Sequence, residues 1–163
     1  MTAPGISAHN LAPSPNWLAI LQQAGAEVFS MMVGVEVQVS ATPISAETDS
    51  TEVTGMVGIA GAISAMCSVR CNTGCATAIA SRMLGIGPEA ASAQQCDAIG
   101  EICNMVAGQF KAKIGLESQC SLSVPTVISG RNYRLHGPSA TYRLEVPLLC
   151  EGDLVWLALE VRM

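Results

Sequence analysis

The sequence predicts an α+β domain: an antiparallel β-sheet with helices packed on it. Near the C-terminus, the runs Thr141–Leu149 and Leu154–Arg162 alternate apolar and polar residues around a short turn, which is typical of a β-hairpin. In the middle of the chain, residues 88–114 carry apolar side chains at helical spacing. Strands and long helices that follow one another along a single chain favour a sheet covered by helices.

The N-terminal elements are predicted from proline content and apolar spacing. Residues 1–15 contain three prolines and a glycine among small and polar residues, so we expect a flexible N-terminal arm, followed by a single domain over residues 16–163. Apolar residues at helical spacing predict a first helix, capped by Asn16 and ending at about Met32. Alternating valines in Val33–Ser40 then predict a strand.

An uncharged segment, Val53–Val69, is open to two interpretations. Its length is at the lower limit of the roughly 17–25 residues of a membrane-spanning helix. Three glycines, Gly55, Gly58 and Gly61, instead favour a hairpin of two buried strands that meet near Ala60. We therefore predict strands here.

The remaining elements follow from caps and breakers. Asn72 is predicted to cap a helix that ends at Leu84, before Gly85. Pro88 is predicted to start a single long helix that runs to about Ile114. Two short strands are expected after it, over Ser118–Val124 and Val127–Ile128.

Composition excludes some classes of partner and suggests a compartment. The net charge is −5, charged residues make up 13%, and Lys and Arg form no cluster, which argues against binding to nucleic acid or to an anionic membrane surface. The segment Met1–Asn10 lacks the basic and apolar regions of a signal peptide. We therefore expect a cytoplasmic protein.

Seven cysteines require an explanation. Their number is odd and most lie in apolar or helical segments, so we expect reduced, buried thiols rather than disulfides. A metal or redox centre is the alternative, because Cys67, Cys71 and Cys75 are spaced four apart. That spacing is not a recognised ligand pattern, and both histidines lie far away in sequence, so no metal site is predicted.

The long helix is predicted to present two different faces. At about 100° per residue, one side is apolar and should face the core. The residues of that side are Cys96, Ile99, Cys103, Val106, Phe110 and Ile114. The opposite side, within about 80°, forms a polar stripe that should face solvent. The residues of this polar stripe are Asp97, Glu101, Asn104, Gly108 and Lys111.

Within the polar stripe, Glu101 and Asn104 are the candidates for chemistry. At positions i and i+3, their Cβ atoms should lie about 5–6 Å apart, so a carboxylate and a carboxamide act on one surface. Gly108 lies one turn further on, and a glycine inside a helix costs about 1 kcal/mol relative to alanine, which close approach of another backbone would explain. On its own, however, a Glu-x-x-Asn pair is typical of an ordinary solvated face.

The surrounding sequence resembles a known family. The segment Asp97–Gly108 resembles the signature helix of the CheC/CheX/FliY chemotaxis phosphatases, in which Asp or Ser is followed at +4 by Glu and at +7 by Asn. Val57–Met66 resembles the family's first hairpin, Ala78–Gly85 the helix after it, and Pro125–Gly130 a later strand. A single Glu/Asn helix resembles the CheX branch, since CheC-like members carry two.

The resemblance implies a fold, an activity and partners. It implies a CheC/CheX-like fold and a hydrolase that dephosphorylates the phospho-aspartate of a CheY-like response regulator. Asn104 would hold the attacking water and Glu101 would pair with the regulator's lysine. From their place on the polar stripe, Asp97, Gly108 and Lys111 are the candidates for contact with such a partner.

No cofactor would be bound by this chain, because the regulator would supply Mg²⁺. A homodimer built by pairing edge strands is also implied. The alternative function is a non-catalytic interaction module that docks a response regulator or a flagellar-type partner through the same helix, because fold alone does not establish catalysis.

Overall fold

The structure is a computed structural model that describes residues 12–41, 50–135 and 142–162. Its helices and strands are α1 (Trp17–Val28), β1 (Gln38–Val39), β2 (Glu52–Gly61), β3 (Ser64–Asn72), α2 (Thr73–Leu84), α3 (Pro88–Ser92), α4 (Gln95–Lys113), β4 (Cys120–Leu122), β5 (Thr126–Gly130), β6 (Tyr142–Cys150) and β7 (Asp153–Arg162). A short π-helical turn, Phe29–Val33, extends α1.

The strands form one antiparallel sheet, in the order β1-β6-β7-β3-β2-β4. Strand β5 also pairs with β2, at the opposite end of that long strand from β4, so β4 and β5 together flank the outer side of β2. The predicted α+β fold class, an antiparallel sheet with helices packed on it, is confirmed.

The helices cover one face of the sheet because the strands are apolar at alternate positions. In β7, Val155, Leu157 and Leu159 are fully buried, and the same alternation continues in β6 and β3. Helices α1, α2 and α4 pack on this face, and their apolar side chains join those of the sheet in one hydrophobic cluster. At about 25 cal/mol per Å² of buried apolar surface, such burial is the main force that stabilises the fold.

Three local predictions from sequence are confirmed. Strands β2 and β3 form the predicted hairpin over the uncharged segment. The Asn72 side chain accepts a 2.7 Å hydrogen bond from the Cys75 backbone N–H and so caps α2, which ends before Gly85 in the left-handed conformation. Strands β6 and β7 pair through the predicted turn, where Glu151 and Gly152 both have positive φ.

The predicted strand Val33–Ser40 is wrong over most of its length. Helix α1 instead continues as the π-helical turn to Val33, and Gly34 ends it with a φ of 72°. Only Gln38–Val39 pair as a strand. The alternating valines reflect burial of Val33 and Val35 in the core rather than strand pairing.

The single helix predicted over residues 88–114 is two helices. Helix α3 ends at Ser92 and α4 begins at Gln95. Ala91 of α3 packs in a small cluster with Ala80 of α2 and Ala98 of α4, and α4 then continues along the sheet. The chain leaves the helical path at Ala93 and Gln94, between the two helices.

Other predictions concern the termini, the cysteines and the membrane. Residues 1–11 of the predicted arm lie outside the described residues. All seven cysteines are free thiols, and six of them are buried, Cys96 being partly exposed. Within the described ranges, no helix combines the length and the apolar character needed to cross a bilayer.

Candidate functional site

Helix α4 lies unusually close to the sheet at one position. A Cβ atom on Gly55 of β2 would fall 3.1 Å from the Ile99 carbonyl oxygen, so glycine is what allows the two backbones to approach. The Cys103 thiol lies 3.4 Å from the carbonyl oxygens of Gly55 and Cys67. The neighbouring Cys67 thiol and burial raise the pKa of Cys103 well above its usual range, so it remains a neutral donor.

Contacts with α1 and α2 fix both ends of α4. The Phe110 ring packs edge-to-face on Trp17, with centroids 5.5 Å apart. Near the C-terminus, the Lys113 ammonium lies 2.9 Å from the Glu27 carboxylate, and this ion pair lowers the pKa of Glu27. At the N-terminus, Thr77 donates a 3.2 Å hydrogen bond to Gln95. Helix α4 is therefore a rigid support for the polar stripe.

The structure brings the predicted candidates together on the outer side of α4. Asp97 and Glu101 are exposed, and Asn104 and Gly108 are partly exposed. Within the described part of the chain, neither Glu101 nor Asn104 has a side-chain hydrogen bond or an ion pair. Both groups are therefore available to a molecule that reaches this surface.

Lys111 differs from Glu101 and Asn104 because its side chain is already bonded within the chain. It is partly buried, and its ammonium group donates a 2.9 Å hydrogen bond to the Cys120 carbonyl oxygen. That bond fastens β4 to the last turns of α4. One of the three donors of Lys111 is thus used within the chain.

The connection between β4 and β5 runs beside the polar stripe, and sequence reasoning did not identify it as part of the site. A Cβ atom on Gly100 would lie 3.1 Å from Val127 Cγ2 and 3.4 Å from Pro125 Cβ, and one on Gly108 would lie 3.8 Å from Leu122 Cδ1. The connection therefore runs antiparallel to α4. The sequence signal that could have identified this connection is the apolar pair Val124-Pro125 between two short strands.

The arrangement is open, so a molecule from solvent can reach Glu101 and Asn104 directly. A carboxylate and a carboxamide project from a supported helix, and an amide can donate with one end and accept with the other. Among the residues described, no three His, Cys, Asp or Glu side chains are grouped to hold a metal ion. A carboxylate and a carboxamide at these positions can orient a bound group, form hydrogen bonds with it and pair with a positive charge.

Solved structures share this fold across nearly the whole chain. A CheC-like superfamily protein from Shewanella sp. PV-4 superposes with a TM-score of 0.76 at 19% identity, covering 93% of this chain and 100% of that chain. Chemotaxis protein CheX from Vibrio vulnificus gives 0.75 at 21%, covering 90% and 96%. The CheX–CheY–BeF3–Mg²⁺ complex from Borrelia burgdorferi gives 0.71 at 18%, covering 90% and 98%.

Comparison of sequences assigns the family. No curated protein matches the chain. A family model described as chemotaxis phosphatase CheX, however, matches residues 53–149, which is more than half of the 163 residues and includes all of α4. The chain belongs to the CheX family of chemotaxis phosphatases.

Proposed function

We propose that this protein dephosphorylates the phospho-aspartate of a CheY-like response regulator, with Asn104 and Glu101 as the groups that act on it. One observation carries the proposal: both side chains lie free and adjacent on the outer face of a rigid helix, in a chain of the CheX family. A CheX–CheY complex among the structures of this fold is consistent with a receiver domain as substrate.

Asn104 is proposed to orient the attacking water. The water oxygen attacks phosphorus, the bond between phosphorus and the aspartyl oxygen breaks, and inorganic phosphate leaves while the aspartate carboxylate is restored. Phosphoryl transfer through a loose transition state needs little covalent help, so placing the water in line is a sufficient catalytic role. The regulator is proposed to supply Mg²⁺, which neutralises charge on the phosphoryl group, and this chain binds no cofactor of its own.

Glu101 is proposed to pair with the lysine beside the regulator's phosphorylation site. The pair would form as the two proteins meet and lose water, which strengthens it relative to an exposed surface pair. Asp97 and Gly108 are proposed to contact the partner on either side, Asp97 by its charge and Gly108 by close backbone approach. Lys111, at the far end of the polar stripe, retains two donors for the same purpose.

The first prediction tests the chemical role of Asn104. Asn104→Ala should lower the turnover of a phosphorylated receiver domain by about 10²-fold or more, as expected when one group that acts on the transition state is removed. Affinity for the regulator loaded with beryllofluoride and Mg²⁺ should stay within about threefold of wild type. Turnover is measured as phosphate released from each phosphorylated receiver domain of the source cell. Affinity is measured by titration calorimetry.

A matched control is Gln109→Ala, which removes another partly exposed amide from α4 on a different side of the helix. It should leave turnover unchanged. Wild-type turnover by Asn104→Ala would overturn the proposed role. If the wild-type protein instead binds the loaded regulator and never accelerates phosphate loss, the chain is the non-catalytic docking module.

A further inference from the structure

The most exposed large apolar side chain among the described residues is Val124, at 85%. It lies in the connection between β4 and β5, next to Pro125. A valine exposed to this degree gains nothing from folding, because hydrophobic stabilisation comes only from surface removed from water. Single exposed apolar residues are common, so the position of Val124 rather than its exposure carries the argument.

Its position along α4 is fixed by two contacts. Leu122 lies beside Gly108 and Pro125 lies beside Gly100, so the connection passes antiparallel to the helix over the same eight residues, about 12 Å. Asn104 is halfway along that span, and Val124 lies between Leu122 and Pro125 on the connection. Val124, next to Pro125, therefore lies beside the segment Gly100–Gly108 of α4, which carries Asn104.

The backbone that carries Val124 is held in place. The Ser123 backbone N–H donates to the Gly58 carbonyl at 2.9 Å, and the Gly58 N–H donates back to the Ser123 hydroxyl oxygen at 2.8 Å. The same hydroxyl donates to the Val124 carbonyl at 3.1 Å. Val124 is thus presented on a fixed support, so little conformational entropy is lost when a partner covers it.

We propose that Val124 is an apolar contact that determines affinity for the phosphorylated receiver domain. This proposal rests on the proposed function of Asn104. Even a small specific interface buries roughly 600 Å² on each partner, a patch about 14 Å in radius. A receiver domain that places its phosphoryl group at Asn104 therefore covers Val124 as well. On the receiver, Val124 would pack on an apolar side chain at the rim of the phosphorylation site.

The test compares Val124→Ser with Val39→Ser. Val39 is also an exposed valine, at 54%, but it lies on β1, five strands or about 24 Å across the sheet from β4. Val124→Ser should raise KM and weaken binding of the beryllofluoride-loaded regulator about tenfold with kcat unchanged, since burying valine is worth about one such factor. Val39→Ser and Val124→Ile should both match wild type.

The outcomes separate the two proposals. If Val124→Ser and Val39→Ser have equal KM and affinity while Asn104→Ala loses turnover, the role of Val124 is overturned and that of Asn104 stands. A wild-type protein that neither binds nor dephosphorylates any receiver domain would overturn both proposals. Because Val124 touches so little of its own chain, thermal melting of Val124→Ser should match wild type, so a loss of affinity reports docking and not folding.

Discussion

At the scale of single residues, the two candidate groups differ in their exposure. Glu101 is exposed, whereas Asn104 is partly covered. A charged side chain at an exposed position gains most when a partner approaches and removes water, while a partly covered amide, which can both donate and accept, is better suited to hold one water in place. The two residues should therefore act at different steps.

We accordingly expect Glu101→Ala to affect affinity more than turnover. Affinity for the beryllofluoride-loaded regulator should fall about tenfold at about 0.05 M salt, and the difference from wild type should shrink at about 0.5 M, where the Debye length is only a few ångströms. Glu117→Ala removes an exposed glutamate beyond the end of α4 and is the matched control, with unchanged affinity. A Glu101→Ala defect confined to turnover would contradict the proposed pairing with lysine.

Sequence predicted these candidates but not their neighbours. The spacing of Asp97, Glu101 and Asn104 depends only on the 3.6-residue period of one helix, which the sequence contains. The bond from Lys111 to the Cys120 carbonyl and the position of Val124 depend on where a later segment folds back. Periodicity within a helix carries no information on such long-range contacts.

At the scale of elements, Gly108 is expected to link the stability of α4 to docking of the proposed partner. A Cβ atom there would lie 3.8 Å from Leu122 Cδ1, an ordinary van der Waals contact, so the fold itself does not require glycine. Gly108→Ala should then stabilise α4 by about 1 kcal/mol and raise the melting temperature by about 2–4 °C. Differential scanning calorimetry checks this expectation, and a lower melting temperature would show that the fold does require glycine.

A larger side chain at the same position should act on the partner. Gly108→Val adds a branched side chain to the polar stripe, which should weaken binding of the loaded regulator at least fivefold while Asn104 and Glu101 remain present. Gly108→Ala is its control for helix stability. Wild-type affinity of Gly108→Val would mean that no partner approaches α4 at this glycine.

Elements were predicted where a local signal specifies them. The Asn72 cap and the turn at Glu151-Gly152 are such signals, and α2 and the β6–β7 hairpin form as expected. The break between α3 and α4 has no proline or glycine to mark it, and it lies where both helices contribute an alanine, Ala91 and Ala98, to a cluster with α2. The valines of Val33–Ser40 alternate, but Val33 belongs to the helical turn that Gly34 ends, and only Gln38–Val39 pair with the sheet.

At the scale of the whole molecule, the sheet separates the two ends of the domain. Strands β4 and β5 lie at the end that carries α4's exposed face, and β1 lies at the other end. At the β1 end, the neighbouring β6 carries Arg143, Glu145 and Pro147. Charged residues and proline discourage the addition of another strand. Strand β5, with the sequence Thr-Val-Ile-Ser-Gly, has no charge. The uncharged end is thus the better template for another chain.

We therefore predict a homodimer that pairs through β5. Light scattering at micromolar concentration should give about 34 kDa, twice the 16.9 kDa of one chain. Ser129→Lys, at an exposed position of β5, should shift the mass towards one chain, because lysine on an edge strand opposes pairing. Gln38→Lys places the same charge at an exposed position of β1 and should leave the dimer intact. If Gln38→Lys dissociates the dimer and Ser129→Lys does not, the pairing strand lies at the β1 end. A wild-type protein that is monomeric at this concentration would refute pairing through either edge.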